Sequence, residues 1–228
     1  MTFTYMVGIP CLFGANHTRM AIDSVADIDG VELFLIDNGA EQSVKDVLNE
    51  FAPQQNVAIF HNEKNIYVNG AWNQILQYFL SSDCDYLIIM NSDLVLNKCW
   101  VDVLDKYFTD LPNTIPVPTV MDSPDLLDLE ITEENIITEL KEGIAGVCII
   151  LNKKHAEKIY PIPETIRVWF GDNYIFDKLR NNGYKTFAIS NLIAYHYHNG
   201  SQNVQRVEGI SEIIEQDKIE WEKIKHLC

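Results

Sequence analysis

The sequence is short of positive charge. Lys and Arg number 17 against 33 Asp and Glu, a formal net charge of −16 over 228 residues. A chain so acidic is a poor partner for nucleic acid or an anionic membrane. It also lacks any apolar run near the roughly 20 residues of a membrane span. The opening MTFTYMVGIP has neither a basic region nor a long apolar one, so it does not read as a secretion signal. Cysteines are few and scattered (Cys11, Cys84, Cys99, Cys148 and Cys228), with no Cys-x-x-Cys pair to suggest a zinc knuckle or a redox motif. Cys11, Cys84 and Cys148 lie in or beside apolar runs and read as small core residues, in a reducing, cytoplasmic setting. No repeat and no low-complexity linker divides the chain, so one compact unit is expected.

What is present is ordinary globular composition, 47% hydrophobic and 22% charged. Short continuous apolar runs at 3–9, 31–36, 57–60 and 86–90 read as strands buried on both faces. Each is followed by helical spacing: from a cap at Asn16 or Thr18 to about 28, then 41–51, 68–80 and 98–108. Strands alternating with helices predict an α/β fold, a mostly parallel doubly wound sheet with helices on both faces. Right-handed crossovers align the strand ends along one edge, where such sheets hold ligands.

The second half is less regular. Residues 114–120 carry two prolines and suit an edge or extended segment. The acid-rich stretch 121–142 places Ile131, Ile136, Ile137 and Leu140 at roughly helical spacing, as in a solvated amphipathic insertion. A strand at 143–151, a helix at 153–159 capped by Asn152, and a helix at 174–181 stopped by Gly183 follow. Short strands at 186–189 and 193–197 precede a long helix at 207–227, with Ile210, Ile213, Ile214, Ile219 and Ile224 inward.

Three acids follow apolar strand-like runs: Asp37, Asp93 and Asp172. The run Tyr86–Met90 stops abruptly at Asn91-Ser92-Asp93. A carboxylate there could hold a metal bound to an anionic ligand, or the triplet could be a turn capping the next helix. His196 and His198 share a face of an extended segment. With Asp93 they could bind a divalent cation, or simply belong to an amphipathic edge strand. Trp169 and Phe170, just before Asp172, are surfaces on which a sugar could stack, or core beside a helix cap.

The series Val7-Gly8-Ile9-Pro10, Leu35-Ile36-Asp37-Asn38-Gly39-Ala40, Asn65 through Gly70 to Asn73, Met90-Asn91-Ser92-Asp93, Gly143 with Gly146, Gly171-Asp172 and His198-Asn199-Gly200-Ser201 is specific in its order. It resembles the family 2 type of nucleotide-sugar glycosyltransferase on the A-type glycosyltransferase fold, closest to the rhamnosyltransferase-like branch. The resemblance covers roughly residues 5 to 205. It implies one domain over 1–228, with a nucleotide-sugar-binding half (1–110), an acceptor and catalytic half (111–205) and a C-terminal helix (206–228).

The resemblance also implies roles. Pro10, Asp37, Asn65, Asn91, Ser92 and Asp93 would line the donor site, Asp37 on the nucleobase and Asn65 beside the nucleotide. Asp93 would be the last acid of an Asp-x-Asp-type motif, holding Mn2+ or Mg2+ with His198 or His196. Asp172 would be the general base of an inverting transfer, and Trp169 and Phe170 would meet the acceptor. The donor would be a nucleoside-diphosphate sugar and the acceptor a hydroxyl of a glycan or other molecule. Four positions depart from the pattern: Asn91 for the first acid, Tyr67 and Val68 for glycines, and Gly171 for an acid. A nucleotidyltransferase is the first alternative, but Pro10-Cys11-Leu12-Phe13-Gly14 has one glycine and no nearby lysine to form its phosphate loop. A nucleotide-sugar-binding module without turnover is the second, against which Asp93, Asp172 and His198 together argue.

Overall fold

The computed structural model describes residues 3–121, 123–128, 136–141, 144, 146–197 and 205–228. Its first sheet runs β3 (Val57–Asn62), β2 (Val31–Asn38), β1 (Tyr5–Cys11), β4 (Tyr86–Met90), β8 (Cys148–Asn152). The first four strands are parallel, and β8 lies antiparallel to β4. Helices α1 (Ala15–Asp23), α2 (Gln42–Phe51) and α3 (Tyr67–Ser81) make the crossovers. Alternation along the strands sorts the side chains. Tyr5, Val7, Ile9 and Cys11 enter one core with α1, α2 and α4 (Trp100–Asp110). Met6, Phe34, Ile36, Leu87 and Ile89 enter another with α3, α5 (Lys153–Ile159), α6 (Gly171–Asn181) and Trp221. The expected mostly parallel α/β sheet with helices on both faces is observed. The antiparallel β8 brings Gly146 and Val147 back to the carboxyl end of β4.

A second sheet was not foreseen. Its centre is β9 (Thr186–His196), with β6 (Ile115–Met121) parallel on one edge and β5 (Leu94–Leu96) and β7 (Ile137–Leu140) antiparallel on the other. The two short strands expected at 186–189 and 193–197 are thus one strand, with a register shift opposite Pro118 and Thr119. The prolines of 114–120 do sit on an edge strand. The helical spacing read into 121–142 misled: a short 3-10 helix spans Pro124–Asp128, and Ile137 and Leu140 belong to β7. Ile131 lies outside the described residues. The spacing of Ile137 and Leu140 fits a helix as well as a strand, and pairing with β9 decides between them.

The C-terminal helix α7 spans Ile210–Ile224. Its buried positions are Ile210, Ile213, Asp217 and Trp221, a stripe that Ile219 misses; Ile219 is 52% exposed. Hydrophobicity alone had placed Ile219 inward and ignored the acid. Helix α1 has Gly14 at its N-cap, in the left-handed region, instead of a capping Asn16 or Thr18, and it ends at Asp23, short of residue 28.

Asn152 caps α5 as expected, and it does so through a capping box. Its side chain accepts the N–H of His155, while its own N–H donates to His155 Nδ1. His155 is fully buried. Burial pushes its pKa down to about 4 from the ordinary 6.5, so the folded protein holds it neutral. The unfolded chain takes up a proton at a higher pH than the folded chain does. The stabilisation is therefore complete above pH 6.5 and is lost as pH falls to about 4. The size is about 3 kcal/mol. His155→Gln keeps a side chain that can reach the Asn152 N–H but cannot titrate. Urea unfolding from pH 4 to 7 is expected to show a shallower pH dependence for this variant than for wild type; equal slopes would contradict it.

Candidate functional site

The site begins where β4 ends. The Asn91 N–H donates to Val147 O at 3.0 Å, and Leu94 N–H closes the turn on Asn91 O at 3.2 Å. The chain then leaves the first sheet and enters the second as β5. Pairing of Leu94 with His196 sets the neighbouring Asp93 carboxylate against the imidazole. Asp93 Oδ1 lies 3.0 Å from His196 Nε2, and the Asp93 carbonyl accepts the Tyr197 N–H at 2.9 Å. Asp93 is 7% exposed, and its Oδ2 is buried without a hydrogen-bond partner among the described residues. Leaving a buried carboxylate oxygen unmatched is costly, and a cation removes that cost.

Asp93 therefore suits a metal ligand by its own geometry. His196, also offered as a ligand, has its Nε2 3.0 Å from Asp93 Oδ1. His198 lies outside the described residues. Among the described residues no three His, Cys, Asp or Glu side chains form a metal-sized group.

Asp93 lines a cleft. Pro10 in β1, Leu12 and Phe13 just after it, Asn38 at the end of β2, and Asn65, Tyr67 and Val68 at the entry to α3 line it too. Asn91, Ser92, Val168, Val207 and Ile210 complete the lining. No lysine or arginine is among these residues. The α3 entry is tied down by amides. Asn38 Nδ2 donates to Asn65 Oδ1 (3.0 Å) and to the Tyr67 carbonyl (3.2 Å), and Asn38 Oδ1 accepts the Ile66 N–H (3.1 Å). Tyr67, which stands where a glycine was expected, adopts a φ of 65°. The local Asn65 Oδ1 bond to its N–H (2.8 Å) helps hold it there.

Of the donor-site residues inferred from sequence, Pro10, Asn65, Asn91, Ser92 and Asp93 line the cleft and Asp37 does not. Asp37 is 2% exposed. Its Oδ1 accepts the Ala40 N–H at 2.7 Å, and its Oδ2 meets His61 Nδ1 at 3.0 Å with Lys45 at 3.8 Å. In this geometry it braces the loop after β2. Two wall-builders went unread in the sequence, Asn38 and Arg206. Arg206 stacks on the Phe13 ring at 4.1 Å and pairs with Glu41 at 2.6 Å. Glu41 also accepts the Gly14 N–H, and that bond and Arg206 hold its carboxyl below the usual range. Arg206 was unreadable because its partners are 165 residues away or more than 190.

A second compartment abuts the first through Val68, Asn91 and Val168. It holds Trp72, Gly146, Val147, Trp169, Phe170, Gly171 and Asp172. Asp172 sits in the first turn of α6, where the helix dipole favours a carboxylate. Its Oδ2 accepts the Gly146 N–H at 3.1 Å and its Oδ1 the Asn173 N–H at 2.9 Å. The acid is both a helix-turn acceptor and a group facing the compartment. Trp169 is 48% exposed. The Phe170 ring, by contrast, stacks on Trp221 with centroids 5.6 Å apart, so packing claims one of its faces.

Gly171 has a steric reason. A Cβ there would collide with the Asn69 side chain, whose Nδ2 donates to the Ile166 and Trp169 carbonyls at 3.0 and 3.2 Å. A Cβ on Gly146 would come within 2.7 Å of the Asp172 Cβ. Both glycines let backbone close around Asp172.

Parallel strand ends meeting a second small sheet, with an acid at the seam, make an A-type glycosyltransferase fold. The sequence profile named "Glycosyl transferase family 2" matches residues 6–173, and the chain belongs to that family. A search of curated proteins finds no match. Among solved structures the chain is similar to GalNAc-T7 with UDP, GalNAc and Mn2+ (TM-score 0.69, 16% identity, covering 86% of this chain and 43% of that one). It is similar to S. aureus TarS 1-349 in complex with UDP (TM-score 0.65, 12% identity, 84% and 60%). It is also similar to the mannosyltransferase PcManGT from Pyrobaculum calidifontis with GDP-Man and Mn2+ (TM-score 0.65, 11% identity, 90% and 61%). The chain thus spans between 43% and 61% of the length of these proteins.

Gly171→Ala is expected to cost about 1–3 kcal/mol, the usual range for overpacking a filled site. Thermal unfolding with circular dichroism measures it, and a wild-type melting temperature would contradict the close approach to Asn69.

Proposed function

We propose that this chain is a metal-dependent, inverting glycosyltransferase that moves a sugar from a nucleoside-diphosphate sugar to a hydroxyl of a glycan or other acceptor. One observation carries the reading: Asp93, whose buried Oδ2 has no hydrogen-bond partner among the described residues, belongs to the lining of a cleft with no lysine or arginine among its described lining residues. A diphosphate entering that cleft brings negative charge to a chain that already carries −16. Mn2+ or Mg2+ held by Asp93, with His198 as a second ligand, would offset it and stabilise the diphosphate as it leaves, an effect worth several kcal/mol. GalNAc-T7 and PcManGT are described with Mn2+ and a nucleotide or nucleotide sugar, which supports the same reading here.

The chain's own groups divide the work. Pro10, Asn65, Asn91 and Ser92 would hold the donor in the cleft. Asp37, braced behind the loop, would reach the nucleobase only by giving up its contact to His61. His196 would fix the Asp93 carboxylate through its Oδ1. In the adjoining compartment Asp172 would take the proton of the acceptor hydroxyl as that oxygen attacks the sugar's anomeric carbon from the face opposite the leaving diphosphate. Such a base contributes typically ~10²–10⁴-fold. Trp169 would offer its exposed face to an acceptor ring.

Calorimetry with UDP, GDP and dTDP, each with Mn2+ and with EDTA, tests the donor site. One nucleotide is expected to bind wild type only with metal, and Asp93→Ala is expected to abolish it. A folded wild type that binds none of the three would overturn the proposal. Asp172→Asn is expected to bind the nucleotide as wild type does and to lose about 10²–10⁴-fold in transfer. Full transfer by that variant would remove Asp172 as the base.

A further inference from the structure

Residues Ile166–Phe170 have no regular structure, yet they place three lining residues, Val168, Trp169 and Phe170, and deliver the chain to Asp172. Two buried side chains grip them. From α3, Asn69 binds the Ile166 and Trp169 carbonyls, and its backbone N–H donates to Arg167 O at 3.0 Å. From α7 comes Asp217, which is fully buried. Its Oδ1 accepts the Arg167 N–H at 3.0 Å, and its Oδ2 accepts the Val168 and Trp169 N–H groups at 2.7 and 3.0 Å. One turn on, Trp221 stacks on Phe170.

We infer that Asp217 is a positioning residue for the transfer reaction: it holds the 166–170 backbone so that Asp172, which follows it, is correctly aimed. This rests on the reading of Asp172 as the base. Asp217 lies beyond residues 6–173, the stretch matched to the family, and touches neither compartment. The role requires an acid. Three N–H donors converge from consecutive residues onto both oxygens, and only an ionised carboxylate accepts on both. An asparagine must turn its NH2 against at least one of them. A buried aspartate serving only to fasten the helix would need no such alignment with the chain leading into Asp172.

The test uses hydrolysis of the donor, which needs no acceptor. Water attacks the anomeric carbon, the bond to the diphosphate breaks with its electron pair leaving on the nucleotide, and Asp172 takes the water proton. Release of nucleotide from UDP-, GDP- and dTDP-sugars with Mn2+ is measured for wild type, Asp172→Asn, Asp217→Asn and the double variant. Nucleotide binding is measured by calorimetry alongside.

For Asp217→Asn, nucleotide binding and KM are expected within about two-fold of wild type, with the loss confined to kcat. That loss is expected at roughly 10- to 100-fold, the scale of a misplacement of an ångström or less. The double variant is expected to be no slower than Asp172→Asn alone, because Asp217 acts only through that group. A wild-type kcat in Asp217→Asn, or losses that multiply in the double variant, would overturn the inference. If Asp217→Asn does not fold, Asp217→Glu carries the test: it keeps the charge and shifts the oxygens by one methylene, so a wild-type kcat there overturns it equally. A folded wild type that hydrolyses no donor overturns the functional reading first, and this inference with it.

Discussion

The contact between Asp93 and His196 is the constraint on which the site depends. The first sheet ends at Met90 and the second begins at Leu94, so three residues cross the seam between them. Pairing of β5 with β9 puts His196 opposite Leu94, and Tyr197 closes on the Asp93 carbonyl. The carboxylate is therefore aimed by two sheets at once, and neither could hold it alone. A side chain on a surface loop would rotate to water. This one is held on one oxygen by His196 and left unmatched on the other among the described residues.

The charge balance points the same way. Among the described residues no Lys or Arg belongs to the cleft lining, and Arg206, the basic residue stacked on its wall at Phe13, is engaged with Glu41. Under the proposed reading, an anionic ligand in this cleft would be offset by a bound cation, where other phosphate sites use arginine forks.

Much of the first half was legible in the sequence because its determinants are local. The short continuous apolar runs fall on β1, β2 and β4, which are mostly buried, while the run at 57–60 falls on the partly exposed edge strand β3, and α2 and α3 fall where helical spacing puts them. The acids Asp93 and Asp172 were legible because each directly follows such a run or an aromatic stretch. What failed was long-range. Ile137 and Leu140 look helical until β9 claims them as a strand, and nothing near Leu94–Leu96 announces its pairing with residues a hundred positions later. Asp217 was not singled out because its partners at 167–169 lie about fifty positions earlier in the chain.

The departures from the family pattern are not equivalent, and packing separates them. Gly171 replaces an acid, yet any side chain there would strike Asn69, which secures the loop leading into Asp172. That position was exchanged as part of a rearranged support for the loop, so it does not speak against Asp172. Tyr67 replaces a glycine but keeps the glycine's left-handed backbone, held by amides from Asn38 and Asn65, so the loop shape survives the loss of the residue that usually supplies it. Asn91 replaces an acid; its backbone N–H and carbonyl bind Val147 and Leu94 in the turn, as those of any residue could. Tyr67 and Gly171 are therefore each accounted for by a backbone or packing contact, whereas Asn91 changes the charge of the turn that carries Asp93.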